Sequence, residues 1–519
     1  MAVQDARDAT PPATTAPGGA AAGLDAGGIG PFTSFALAMS TICIVAGGVT
    51  SFYIAFGSVG GAAIGFGWPL GCLGALAVAL TMGQLASAFP RAGGPYLWAS
   101  ILGGRGWGWA TACLGLIGLA AAIAAVNAGA FNFIAAAYAR VGGYDPNELD
   151  GWLRCGVVIL MTASQAFINH RGIRLTARLL DISGYLIVAM VVLLTLVLVV
   201  FGLTNGSGAD FTRLWRFDNF GGRPEANPTW PATTDVAWLF ALGLMLPAYT
   251  ITGFDAPAQT IEETVDPGRN VPRAIVRGVM LSGATGWIML SALVLAIPDM
   301  EEAAGKGNLM FFHVLRAIIP DEWRFVRTGL YIGLGASMYL CSLATLTSVS
   351  RMTWAFARDR GLPFSTALSR IGRHRTPSAA IWSAAGVVAL LALPDYNVIA
   401  AVCAIFLYLA YVLPTFASLR AYDRLQEKLG PWHVGKWYRP LAVVSCAWCV
   451  LLFIIGVQPP NEIALWIVGG TILVLLALWF GYLRRRFPGL AQEAIPAAPS
   501  EEAPYPVCKQ ELRLDPEEA

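Results

Sequence analysis

From Ala26 through Pro90 the chain carries no Asp, Glu, Lys or Arg, a run of 65 residues. Soluble domains are about 25% charged throughout, so a gap of this length does not belong in a water-facing surface. A membrane helix takes about 20 apolar residues. The gap therefore holds two spans and excludes both a soluble fold and a single-pass anchor. The rest of the chain agrees: 13% of its 519 residues are charged and 56% are hydrophobic. The net charge of +2 gives no footprint for a nucleic-acid partner.

Uncharged stretches mark twelve candidate spans, at 33–57, 64–89, 106–138, 152–169, 180–203, 236–264, 277–297, 327–350, 377–394, 397–419, 440–458 and 463–483. Backbone polar groups in lipid must be satisfied within a helix or a closed barrel. Barrel strands are about ten residues with strict alternation; these runs are longer and do not alternate, so they read as helices. With the N-terminus inside, inner segments hold 25 of the 34 Lys and Arg. That bias places both termini in the cytoplasm. Residues 1–31 read as a disordered tail rich in Ala, Pro, Thr and Gly, without a signal-peptide core. Residues 484–519 read as a second tail. The longest outer segment is 204–235, and apolar spacing near 309–319 predicts a short helix on the outer surface. Cys446 and Cys449 form a CxxC in an apolar run, which reads as packing. The four His form no cluster, so no metal site and no cofactor is expected.

Two spans contain sequence that a plain membrane helix disfavours. The first holds Val45-Ala46-Gly47-Gly48-Val49-Thr50-Ser51; the sixth holds Pro247 through Pro257, including Tyr249, Thr252, Gly253, Phe254 and Asp255. Gly, Pro and clustered hydroxyls weaken the helical ladder, and freed backbone groups are tolerated only where they line a cavity. Broken helices at positions one and six are the pattern of a five-plus-five inverted-repeat transporter. On that pattern residues 32–203 form one repeat, 236–420 the second, and 421–483 helices eleven and twelve. The half-helix N-termini face a substrate carboxylate, and the freed carbonyls an ammonium. The competing reading of Gly47–Gly48 is close helix packing. Asp255 is the one acidic residue placed deep in a span, which makes it a functional candidate. It can pair with a substrate ammonium, carry a coupling proton, or hold the broken helix by accepting backbone N–H groups.

Three motifs resemble the amino acid–polyamine–organocation superfamily, and within it the amino acid/choline transporter group. They are Phe89-Pro90-Arg91-Ala92-Gly93-Gly94-Pro95-Tyr96-Leu97-Trp98; Thr252–Ala258 with Glu262-Glu263-Thr264-Val265-Asp266-Pro267 and Asn270–Ala274; and Ser350-Arg351 with Ala357-Arg358-Asp359-Arg360-Gly361-Leu362-Pro363. The resemblance implies an all-α integral membrane protein of twelve helices, with helices one and six broken. It implies substrate binding by Ala46, Gly47, Gly48, Val49 and Thr50 on one wall and Thr252, Gly253, Phe254 and Asp255 on the other. It also implies an aromatic gate at Tyr249 and an inner latch drawn from Glu262, Glu263, Arg273, Arg351, Arg358, Asp359 and Arg360. Asn127, Ser337, Cys341, Ser342, Tyr408 and Tyr411 are lesser candidates, expected to serve helix–helix hydrogen bonds.

The function expected is import of an amino acid, or of a small zwitterion such as γ-aminobutyrate, with H+ as partner through Asp255. A choline or polyamine carrier is the alternative; a nutrient sensor or channel fits less well. A diamine wants two separated acceptors, and choline an aromatic box to which Tyr249 and Phe254 contribute. No Ser/His/Asp set, metal cluster or phosphate loop supports an enzyme. Arg outnumbers Lys 30 to 4, a composition that suits a GC-rich bacterium and its inner, plasma membrane.

Overall fold

A computed structural model describes residues 27–138, 151–206, 210–392, 396–459 and 461–489. The expected tails therefore lie outside the described residues, apart from 27–31 and 484–489. Among the described residues no β-strand forms, and every long apolar run is helical.

The first span is cut into three pieces, α1 (Pro31–Ile42), α2 (Ile44–Thr50) and α3 (Phe52–Val59). A π turn leads into α4 (Trp68–Ala88), followed by the short α5 (Pro95–Gly103) and the long α6 (Arg105–Tyr138), α7 (Gly151–His170) and α8 (Ile173–Asn205). The sixth span is also cut, into α9 (Val236–Gly243), α10 (Met245–Thr250) and α11 (Ala256–Gln259). Then come α12 (Pro267–Ala296), α13 (Met300–Ala304), α14 (Met310–Ile318), α15 (Arg324–Arg358), α16 (Ser365–Leu368), α17 (Ser378–Leu391) and α18 (Tyr396–Arg420). The chain closes with α19 (Tyr422–Gln426), α20 (Tyr438–Gly456) and α21 (Glu462–Leu478), which passes through a π turn at Trp479–Leu483 into α22 (Arg484–Arg486). Among the described residues ten helical stretches are long and apolar enough to cross a membrane; two shorter apolar ones, Val236–Thr250 and Ser378–Leu391, fall at the sixth and ninth expected spans.

Helices α15 and α18 pack along α6 at the centre, while α12 packs on α4 and α1. Small residues allow the close approach that membrane helices rely on; a Cβ on Gly118, for instance, would fall 2.9 Å from Leu407. The outside is apolar. Leu196 and Leu203 of α8 and Trp466 and Leu473 of α21 are exposed, which is a surface suited to lipid rather than water.

Several helices run past the expected limits. The seventh span, expected at 277–297, starts at Pro267; the eighth, expected at 327–350, ends at Arg358. Hydropathy stops at the first charge, but a helix continues where that charge finds a partner. The expected outer helix near 309–319 is α14, with Phe311, Val314, Leu315 and Ile318 buried. The long outer loop closes over the end of α3. Asp218 and Phe220 N–H groups donate to Val59 and Ser58 carbonyls (3.2 Å each), and the Trp230 indole donates to Ile54 O at 2.7 Å. The contacts to Val59 and Ser58 satisfy carbonyls that the end of α3 leaves open.

Candidate functional site

The break in the first span flanks the Gly47–Gly48 stretch instead of falling within it. Cys43 takes a left-handed conformation (φ 39°, ψ 71°) that ends α1, and Ser51 separates α2 from α3. The Cys43 carbonyl accepts the Ala46 and Gly47 N–H groups at 2.8 and 3.2 Å. Ile44 and Val45 head α2, and the first N–H groups of a helix have no intrahelical acceptor. Among the described residues the Ile44 and Val45 N–H groups, just upstream of the expected five, have no backbone acceptor. Ala46, Gly47, Gly48 and Val49 are buried within α2, and Thr50 Oγ1 donates to Ala46 O at 2.8 Å. A Cβ on Gly47 would lie 2.8 Å from Thr250 Cα, so this glycine lets α2 and α10 touch, as the packing reading requires.

The sixth span unwinds from Ile251 to Asp255. Gly253 has φ +73°, and a Cβ there would meet Thr41 Cγ2 at 2.5 Å. The two breaks therefore interlock twice, Gly47 against Thr250 and Gly253 against Thr41. Asp255 is buried at the bottom of the unwound stretch. Its Oδ1 accepts the Tyr411 hydroxyl at 2.6 Å and its Oδ2 accepts Gln259 Nε2 at 3.1 Å. It makes no side-chain cap to α11. The Tyr411 oxygen also accepts the Gly253 N–H at 3.0 Å. One phenol thus joins the unwound backbone to the buried acid. Tyr408 O–H donates to Ile251 O at 3.4 Å, and the Phe254 and Tyr411 rings lie 5.1 Å apart. Among the described residues no cationic side chain pairs with Asp255. Thr252 Oγ1 donates to the carbonyl of Tyr249, itself buried on α10. Thr250 Oγ1 and Ser342 Oγ are buried and have no hydrogen-bond partner among the described residues.

The lesser candidates divide. Asn127 bonds Thr162 and Gln165 of α7, and Ser337 bonds Gly333 O within α15. Cys341 Sγ reaches Thr41 O at 3.8 Å, beside the first break. Tyr408 and Tyr411 hold the second. Tyr411 makes the helix–helix hydrogen bonds expected of it, to both Gly253 and Asp255. Nothing local marks it, because its partners lie more than 150 positions away.

The end of the bundle expected to face inward carries charge pairs. Arg351 donates to both Glu263 oxygens, at 3.1 and 3.4 Å, with both side chains fully buried. Arg358 donates to Glu262 at 3.1 Å, and Glu262 also accepts the Ala92 N–H at 3.2 Å. Glu262 and Arg351 therefore belong to two separate pairs. Tyr96 O–H donates to Asp359 at 2.9 Å. Burial pushes the Asp359 carboxyl above the usual carboxylate range, offset in part by Arg358 and Tyr96. Ile29 adds a backbone clasp: its N–H donates to Glu263 O at 2.9 Å, and its carbonyl accepts the Val265 N–H at 3.0 Å. Arg273 and Arg360 form no ion pair among the described residues.

The amino acid permease family model matches residues 29–482. The chain is 27% identical over 491 residues to the amino-acid permease BAT1 of Arabidopsis thaliana, covering 88% of this chain and 92% of that one. It is 26% identical over 493 residues to the BAT1 homolog of Oryza sativa subsp. japonica, covering 88% and 91%. It is 26% identical over 489 residues to amino-acid permease 2 of Neurospora crassa, covering 88% and 85%.

Proposed function

The chain belongs to the amino acid permease family, within the amino acid–polyamine–organocation superfamily, and is a multi-pass amino acid transporter; from that premise we propose that it imports an amino acid, or a small zwitterion such as γ-aminobutyrate, together with H+. The observation that carries the finer reading is Asp255, buried without a cation and tied by Tyr411 to the unwound Gly253. A buried acid without a counter-charge is costly and is relieved by a substrate ammonium or by a proton. The substrate carboxylate meets the open amides at the head of α2, Ile44 and Val45, with Ala46 to Thr50 forming the wall behind them. Its amine meets the carbonyls and acid of residues 252–255. Tyr249 closes the outer path. The pairs Arg351–Glu263 and Arg358–Glu262 hold the inner path shut and part when it opens. The Lys and Arg bias supports cytoplasmic termini, and the excess of Arg over Lys, which suits a GC-rich bacterium, supports its plasma membrane.

The test is uptake of a labelled panel in transporter-deficient cells: neutral, acidic and basic amino acids, γ-aminobutyrate, choline and putrescine. Wild type and Asp255→Asn are compared with and without a proton uncoupler. Entry of a zwitterion, stopped by the uncoupler and lost in the variant, supports the reading. Entry of choline or putrescine alone replaces it with an organic-cation carrier. Zwitterion uptake that ignores the uncoupler removes the coupling role.

A further inference from the structure

On the outer wall of the bundle, α6, α18 and α21 leave an apolar groove of about 460 Å³. Trp107, Trp109, Ala110, Leu413, Trp479 and Phe480 are among the residues that line it. The Trp109 and Trp479 rings lie 5.5 Å apart, tilted by 31°, so the floor is aromatic. The Trp109 indole N–H is buried without a partner among the described residues. Phe480 is 64% exposed, so the groove opens sideways to the bilayer.

One end of this groove is positively charged. Arg105 starts α6 immediately before the groove residues 106 and 107, and it donates to Phe487 O at 3.4 Å. The Phe487 ring lies 6.3 Å from that of Trp479. The Arg484 guanidinium lies over the Phe480 ring at 5.8 Å. Arg485 follows it, and Arg105, Arg484 and Arg485 are all exposed. Among the described residues no carboxylate pairs with any of the three. The start of a 34-residue helix at Arg105 adds its own positive end. A chain-wide apolar slot with unpaired arginines at one mouth matches one kind of molecule, a long acyl chain joined to an anionic head.

We propose that this groove is a binding site for an anionic glycerophospholipid. One acyl chain lies on Trp107, Trp109, Leu413 and Trp479. The phosphate meets Arg105, Arg484 and Arg485. The site is separate from the two helix breaks and does not depend on which substrate is carried.

The experiment is native mass spectrometry of the full chain after equilibration in vesicles of phosphatidylcholine and phosphatidylglycerol at equal mole fraction. Wild type is expected to retain phosphatidylglycerol over phosphatidylcholine by at least about fivefold, the ratio that one arginine near an anionic surface supplies. R105Q/R484Q/R485Q is expected to retain the two equally, and the corresponding triple Lys variant to keep the preference. Ala110→Phe narrows the groove and leaves the arginines in place; it is expected to lower the total lipid retained while uptake activity confirms a folded protein. Equal retention of both lipids by wild type, or an unchanged preference in the triple Gln variant, would overturn the proposal. So would undiminished lipid in an active Ala110→Phe protein, since the chain would then lie elsewhere.

Discussion

Tyr411 serves two partners through one oxygen, donating to Asp255 and accepting from Gly253. Tyr411→Phe removes both contacts and leaves the ring packing on Phe254 intact. A hydrogen bond to a charged group is worth roughly 1.5–3 kcal/mol, so transport is expected to fall about 10- to 100-fold at unchanged surface expression. Full activity in the phenylalanine variant would show that the unwound stretch holds itself. Gly47 makes a second test. Its missing Cβ is what lets Thr250 approach, and overpacking costs about 1–3 kcal/mol. Gly47→Val is expected to reach the membrane, unfold at lower temperature and carry no substrate, whereas Gly48→Ala, with 3.4 Å to its nearest neighbour, is expected to be tolerated. The difference in legibility is physical. An acid inside an apolar run is visible in sequence, so Asp255 stood out. Cys43 did not, because cysteine has no preference for the left-handed turn it adopts; only the packed structure imposes it. A tyrosine in a membrane helix is likewise unmarked until its distant partners are in place.

Among the elements, the end of α15 shows how two similar-looking ion pairs differ. Arg351 and Glu263 are wholly buried, while the Arg358 and Glu262 side chains are each about a quarter exposed. Removing one member of a buried pair leaves a bare charge and costs about 3–5 kcal/mol. A partly exposed pair is worth about 0–1 kcal/mol. Thermal unfolding in detergent is therefore expected to fall markedly for Arg351→Ala and slightly for Arg358→Ala, with Arg351→Met/Glu263→Leu recovering most of the loss. Equal losses for the two alanine variants would contradict the ranking. The same helix shows where hydropathy misleads. The apolar run ends at Arg351, but α15 continues to Arg358 because Glu263 and Glu262 receive its charges. The existence of the long helices was legible from the lack of charge within them. Their inner ends were not, since those depend on partners from the loop after α11.

For the whole molecule, the inner end carries a pH dependence. Burial raises the Asp359 carboxyl, so the packed arrangement holds that proton more tightly than an unfolded chain does. The stability from this group is full below about pH 4, the ordinary aspartate range, and is lost as pH rises through the raised value. Wild type is expected to lose unfolding temperature across that interval, and Asp359→Asn, which can still accept from Tyr96, to stay flat. Parallel curves would assign the dependence to other groups. The clasp at Ile29 has a consequence of another kind. Its partners, Glu263 and Val265, lie more than two hundred residues downstream. A ribosome adds roughly 5–20 residues per second, so Ile29 waits on the order of tens of seconds for the segment it must pair with. Ile29 is thus made long before Glu263 and Val265, and this clasp forms only after the sixth span has emerged.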